Sequence, residues 1–320
     1  MLTNHKQHGY CALSLLASLI ASSCSKPATL PTSGSAVKQN VKPRVFVVNY
    51  PLMYFVERIA GDTVDIDFPV PPDIDPAFWK PNAEDVLRLQ TADLIVLNGA
   101  NYAKWTRRVS LPETMSHDTT INLKDRYIRI EDATTHQHGP KGKQHSHTGY
   151  AFTTWLDLKI AVEQARAVND ALTQFVPNQK STYLKNFAAL EQDLLALDGQ
   201  IEQAVAKIPN KPLVASHPVY QYFTKRYGLN LKSVHWEPDE MPGEDAWKDF
   251  AALIAKHPAK SMLWEGEPNK DIVAKLDNMG IESVVFDPCG NKPAMGDFLE
   301  VMRSNVERFA TVFTDNDAAK

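Results

Sequence analysis

Short β-branched runs alternating with helix-period segments, interrupted once by a single very long apolar stripe, predict an α/β protein built from two βα lobes. Each lobe is expected to hold a mostly parallel sheet flanked by helices, and a long backbone helix joins the two, with a ligand crevice between them. Three observations carry this: the alternation occurs twice, over 44–98 and 213–287; the stripe between them is unbroken over 182–208; and 320 residues exceed the ~100–200 of one domain.

The chain opens with Lys6, an apolar stretch over 10–21, and the small residues Ser22 and Ser23 before Cys24, so 1–23 reads as a secretory signal peptide. That run is shorter than the ~20 residues of a spanning helix. Ala21-Ser22-Ser23-Cys24 resembles a bacterial lipobox, which implies cleavage before Cys24 and lipidation of its thiol. Residues 24–42, rich in Pro, Thr, Ser and Gly, cannot bury enough surface to order themselves and read as a disordered tether. Cys11 leaves with the signal and Cys24 is acylated, so Cys289 stands alone and no internal disulfide is expected.

The N-terminal lobe, 43–177, starts with the strand RVFVVN at 44–49 and a helix over 54–60. A strand within 64–70, a helix over 83–90 and the strand DLIVLN at 93–98 continue the alternation. A helix over 155–175 ends before Pro177. The linking helix, 178–209, carries Leu184, Phe187, Leu190, Leu194, Leu197, Ile201, Val205 and Ile208 every three or four positions. At 1.5 Å per residue it runs ~40 Å and serves as a spine. The C-terminal lobe, 210–320, has strands near 213–216, 231–234, 261–264 and 283–287. Helices fall between them at 219–227, 245–257 and 271–278, and one over 295–312 closes the chain.

A net charge of −4 with no basic run excludes a nucleic-acid footprint. Nucleophile-elbow, phosphate-loop, H-E-x-x-H and CxxC signatures are all missing, so an enzyme is not expected.

Imidazoles are the conspicuous chemistry. His136, His138, His145 and His147 crowd HQHGPKGKQHSH, a polar segment read as a His-rich loop over 134–149 and a candidate metal contact. His217, in VASHPVY, and Asp287, in VVFDPCG, each follow a strand, where side chains converge on the crevice. One His and one Asp make half of a tetrahedral zinc site. Glu265 and Glu267, and Glu237, Asp239 and Glu240, also follow strands and read by default as solvated loop carboxylates. Cys289 reads as a small buried hydrophobe.

Together, DIDPAFWKP, TADLIVLNGANYAKW, THQHGPKGKQHSHTG, TTWLDL, SHPVYQYFTKRYGL, EPDEMP and FDPCG resemble, in order and spacing over 44–313, the zinc- and manganese-type substrate-binding lipoproteins of bacterial ABC transporters. The resemblance implies a metal held between two lobes by four ligands, with His217 at the third position and Asp287 at the fourth. The first two positions are substituted, by Ala77 and Thr153, neither of which replaces an imidazole. Loop histidines or carboxylates such as Asp75 are the available substitutes. The implied function is capture of a divalent metal, zinc ahead of copper or manganese, for an inner-membrane ABC permease. The protein is then a periplasmic or surface monomer that meets the membrane only through its lipid. The alternative is a divergent member that binds another solute or a metal complex, or acts as a chaperone or adhesin. An exported hydrolase using His217 and Asp287, with Ser216 as the adjacent nucleophile, is the remaining reading.

Overall fold

A computed structural model of the chain describes residues 42–136 and 145–314, with the backbone alone for 113, 131–136 and 145–148. The expected signal 1–23, Cys24, the tether up to residue 41 and His138 lie outside the described residues.

Strands β1 (Arg44–Val47) and β3 (Leu94–Leu97) form the centre of the first sheet, with β2 (Asp65–Asp67) and β4 (Ser116–Asp118) at its edges. The order is β2-β1-β3-β4 and every pairing is parallel. RVFV and LIVL suit this position because central parallel strands are covered on both faces. SHD, by contrast, has no apolar residue, so no hydrophobic pattern marked β4 as a strand. Helices α1 (Tyr50–Ala60) and α2 (Ala83–Gln90) complete the βα units. Asn49 caps α1 through Leu52 N, and Pro51 fits its first turn, so the helix begins four residues before the periodicity alone suggested.

The histidine-rich segment 134–149, expected as a loop, is strand at both ends. β5 (Arg129–His136) and β6 (His145–Tyr150) pair antiparallel, with His136 opposite His145 and Thr134 opposite His147. Threonine-rich flanks favour extended backbone and explain the difference.

Helix α3 (Leu158–Phe175) leads into α4 (Lys180–Lys207), whose 28 residues span about 42 Å. Its buried stripe is Tyr183, Phe187, Leu190, Leu194, Leu197, Ile201 and Ala204, alternating steps of four and three. Leu184, expected in the stripe, is 47 % exposed, because Tyr183 takes the inward place and meets Thr63 through its hydroxyl at 2.6 Å. α4 packs on α1 and α3, and on the closing helix α8 (Phe298–Thr311).

The second sheet contains β7 (Pro212–Ala215), β8 (Asn230–Ser233), β9 (Ser261–Trp264) and β10 (Glu282–Val285), in the order β10-β9-β7-β8 and all parallel. Helices α5 (Gln221–Tyr227), α6 (Glu244–Lys256) and α7 (Lys270–Asn278) connect these strands. The spine is tied to both lobes by ion pairs. Asp193 meets Arg58 of α1 at 2.9 Å. Asp198, buried on α4, receives Arg226 of α5 through two parallel hydrogen bonds of 2.9 and 2.6 Å and the Tyr227 hydroxyl at 3.0 Å. A buried carboxylate is tolerated only with such complete satisfaction.

Candidate metal centre

Parallel strands end on the same rim of their sheet, so the second sheet's order dictates which loops are neighbours. The residues following β10, β9, β7 and β8 are Asp287, Glu265, His217 and Glu237, and the spatial order of the strands sets them side by side. Ser216 N donates to Leu263 O at 2.8 Å and Trp236 N donates to Ser216 O at 2.7 Å, holding the β7 exit between its two neighbours.

His217 Nδ1 lies 3.7 Å from Glu237 Oε1 and 3.9 Å from Glu265 Oε1. Ligand atoms of all three lie within 4.8 Å of one another, the one such grouping among the described residues. The His217 side chain is 1 % exposed, Glu237 10 % and Glu265 20 %. These two glutamates are therefore not the solvated loop carboxylates that local sequence suggested. The cue that could have found them is topological: each follows a strand adjacent to the one carrying His217. A tetrahedral zinc ion 2.0–2.2 Å from its donors sets them about 3.4 Å apart, so this cluster needs to contract by a few tenths of an ångström up to about 1.4 Å. The His235 ring lies 5.6 Å from that of His217, and burial depresses its pKa while Glu237 opposes the shift.

Asp287 lines the same cavity as His217 and Glu265. Its Oδ1 accepts from Cys289 N at 2.7 Å, drawing the chain into a tight turn in which Cys289 has φ 56°. Burial raises the Asp287 pKa, countered by that N–H and by Arg308. Burial, with Asp287 and Asp297 nearby, also raises the Cys289 pKa, so its thiol stays protonated.

The opposite wall comes from the N-terminal lobe. Thr153 lines the cavity and donates from Oγ1 to Val219 O at 2.5 Å. Ala77 is buried, its N–H bound to Asp75 Oδ1 at 2.8 Å, and its neighbours Pro76 and Phe78 line the cavity. The two walls are stitched by further bonds: Trp155 Nε1 to Pro288 O at 2.7 Å, Tyr50 N to Gly290 O at 3.0 Å, and Asn291 Nδ2 to Pro71 O at 2.7 Å. Between them lies a cavity of about 310 Å³. His136, His145 and His147 lie on the β5–β6 hairpin, where backbone alone is described. Ser216 is fully buried and its hydroxyl has no hydrogen-bond partner among the described residues.

Comparison with known proteins agrees with this architecture. A family model described as zinc-uptake complex component A, periplasmic, matches residues 45–312. The zinc-binding lipoprotein AdcA of Streptococcus pneumoniae is 22 % identical over 277 residues, covering 83 % of this chain and 55 % of AdcA, so the chain spans about half the length of that relative. The metal ABC transporter substrate-binding lipoprotein SsaB of Streptococcus sanguinis is 27 % identical, over 95 % of this chain and 98 % of SsaB. The crystal structure of the metal-dependent lipoprotein YcdH from Bacillus subtilis shares the fold, with a TM-score of 0.71 at 19 % identity, covering 84 % of this chain and 98 % of that one.

Proposed function

The chain belongs to the zinc-uptake complex component A family, and from that premise we propose that it is the extracytoplasmic solute-binding component of a metal ABC transporter. Its cargo is a divalent transition metal, zinc ahead of copper or manganese. The observation that carries this reading is the convergence of His217, Glu237 and Glu265 at one sheet rim. An imidazole with carboxylates suits zinc, and the neutral imidazole disfavours a purely oxygen-seeking ion. Asp287, at the end of β10 beside β9, lines the same cavity and adds a third carboxylate.

The protein delivers its ion to a membrane permease and catalyses nothing. Ser216 is fully buried, and its hydroxyl has no hydrogen-bond partner among the described residues. Among the described residues no helix is long and apolar enough to cross a membrane. Attachment is through a lipid on Cys24, in keeping with relatives named as lipoproteins, and the protein acts as a monomer in the periplasm or at the cell surface. Mass spectrometry of the membrane-extracted protein is expected to find diacylglycerol on Cys24; a freely released, unlipidated form overturns the anchor.

Titration calorimetry of the mature chain tests the site. One zinc ion binds per chain, and His217→Ala weakens binding at least tenfold, about 1.4 kcal/mol. No zinc heat, or no effect of that substitution, sinks the reading.

A further inference from the structure

The two walls of the cavity differ in kind. The second-sheet wall offers donors, whereas the N-terminal wall places Ala77 and Thr153 where the resemblance implies imidazoles. Beside them stands a run of aromatic rings. Phe78 meets Phe152 at 6.1 Å between centroids, Phe152 meets Tyr102 at 5.3 Å, and Tyr102 meets Trp155 at 5.6 Å, each edge to face. All four rings line the cavity that His217 and Glu265 border. The Tyr102 hydroxyl is buried there, its residue 2 % exposed, with no hydrogen-bond partner among the described residues. A buried hydroxyl without a partner is costly, and a ligand carrying a polar atom recovers that cost.

Charge narrows the occupant further. Asp73, Asp75, Glu265 and Asp287 line the cavity, and among the described residues no lysine or arginine does. A volume of about 310 Å³ lies at the small end of the ~300–1,000 Å³ usual for organic-ligand pockets and exceeds the need of a bare ion. Held by His217, Glu237 and Glu265 alone, a tetrahedral zinc ion would keep one position for a further donor. An anionic chelator such as citrate meets repulsion from the carboxylates. A neutral nitrogen donor leaves the ion's positive charge intact, and a flat ring packs against aromatic neighbours.

We propose that this crevice takes its metal as a cationic complex with a small nitrogen-donor ligand, the protein holding the ion through His217, Glu237 and Glu265 and the organic part between Phe78, Phe152 and Tyr102. This rests on the metal-binding function proposed above. A ring nitrogen of this ligand would supply the ion's further donor, and its polar tail would meet the Tyr102 hydroxyl.

Equilibrium dialysis of the mature chain with radiolabelled L-histidine, with and without one equivalent of zinc, tests the idea, with labelled citrate as the charge control. Histidine is expected to be retained near one per chain with zinc, at least tenfold less without it, and citrate not at all. F78A lowers histidine retention at least tenfold more than it lowers zinc binding measured without histidine. Asp75→Asn, which keeps the Oδ1 acceptor for Ala77 N, removes a charge with little risk to folding and lowers histidine retention at least threefold. Zinc bound with no histidine retained overturns this inference and leaves the metal-binding function standing. Histidine retained equally without zinc overturns it in favour of a free organic ligand. Absence of zinc binding in both arms overturns the metal-binding function and this inference together.

Discussion

The two sheets have the same plan, four parallel strands whose carboxyl ends border one crevice, but they use their rims differently. After β1 and β3 of the first sheet come Asn49 and Asn98, and both are consumed internally. Asn49 Nδ2 donates to Asn98 Oδ1 at 3.0 Å, Asn98 Nδ2 donates to Phe152 O at 3.0 Å, and Gln164 Nε2 donates to Asn98 Oδ1 at 3.2 Å. After the strands of the second sheet come ionisable groups gathered around the cavity. One rim builds structure and the other gathers charge. Symmetry of fold therefore does not imply symmetry of role, because position on the rim only offers a site and the side chain decides what occupies it.

That contrast is open to direct attack. Giving the N-terminal wall imidazoles, with Ala77→His and Thr153→His together, supplies two more nitrogen donors and should tighten zinc about a hundredfold, about 2.7 kcal/mol, while abolishing histidine co-retention. Calorimetry and dialysis on the same sample read both. If affinity does not rise, the two walls do not share one ion.

Asn98→Ala strikes the structural rim. It removes the hydrogen bonds that Asn98 makes with Asn49 Nδ2 and with the Phe152 carbonyl, while Gln164 Nε2 keeps Thr119 Oγ1 at 3.1 Å, so unfolding in urea should show a loss of about 2 kcal/mol, with zinc affinity changed less than threefold. A binding defect out of proportion to that loss would merge the two roles that the rims keep apart.

The smallest effect concerns pH. His117, on the edge strand β4, has its pKa lowered by burial, with Asp118 and Asp170 opposing. Its folded value lies below its unfolded value, so the unfolded chain takes up the proton first. Stability is complete above the unfolded pKa and falls as pH drops through about 6.5 towards the folded value. His117→Gln should flatten that part of the stability profile, measured by thermal melts at successive pH values, without shifting zinc binding at neutral pH.

Much of the architecture was legible because it is written in local pattern. RVFV, LIVL and SMLW read as buried strands, and α2 and β9 fall where the periodicity sets them. What local pattern lacked was any signal for β4, whose three residues are polar, and for the strand ends of the histidine segment, whose composition resembles a loop. The spine's inward stripe starts at Tyr183 rather than Leu184, because a one-residue shift on a helix turns a side chain by about 100° and only packing chooses between two adjacent apolar residues.

The site divides in the same way. His217 and Asp287 stood out from sequence because each follows a recognisable strand. Glu237 and Glu265 did not, since a carboxylate in a loop looks alike whether it faces water or an imidazole. Sequence alone determined most of the elements, their order and the absence of a basic run. Only tertiary structure decided that strand order β10-β9-β7-β8 would bring residues from four distant loops onto one rim, and that aromatic rings would stand across from them. The physical reason is range: periodicity and capping act over a few residues, whereas a binding site is made by neighbours that chain topology, not chain proximity, brings together.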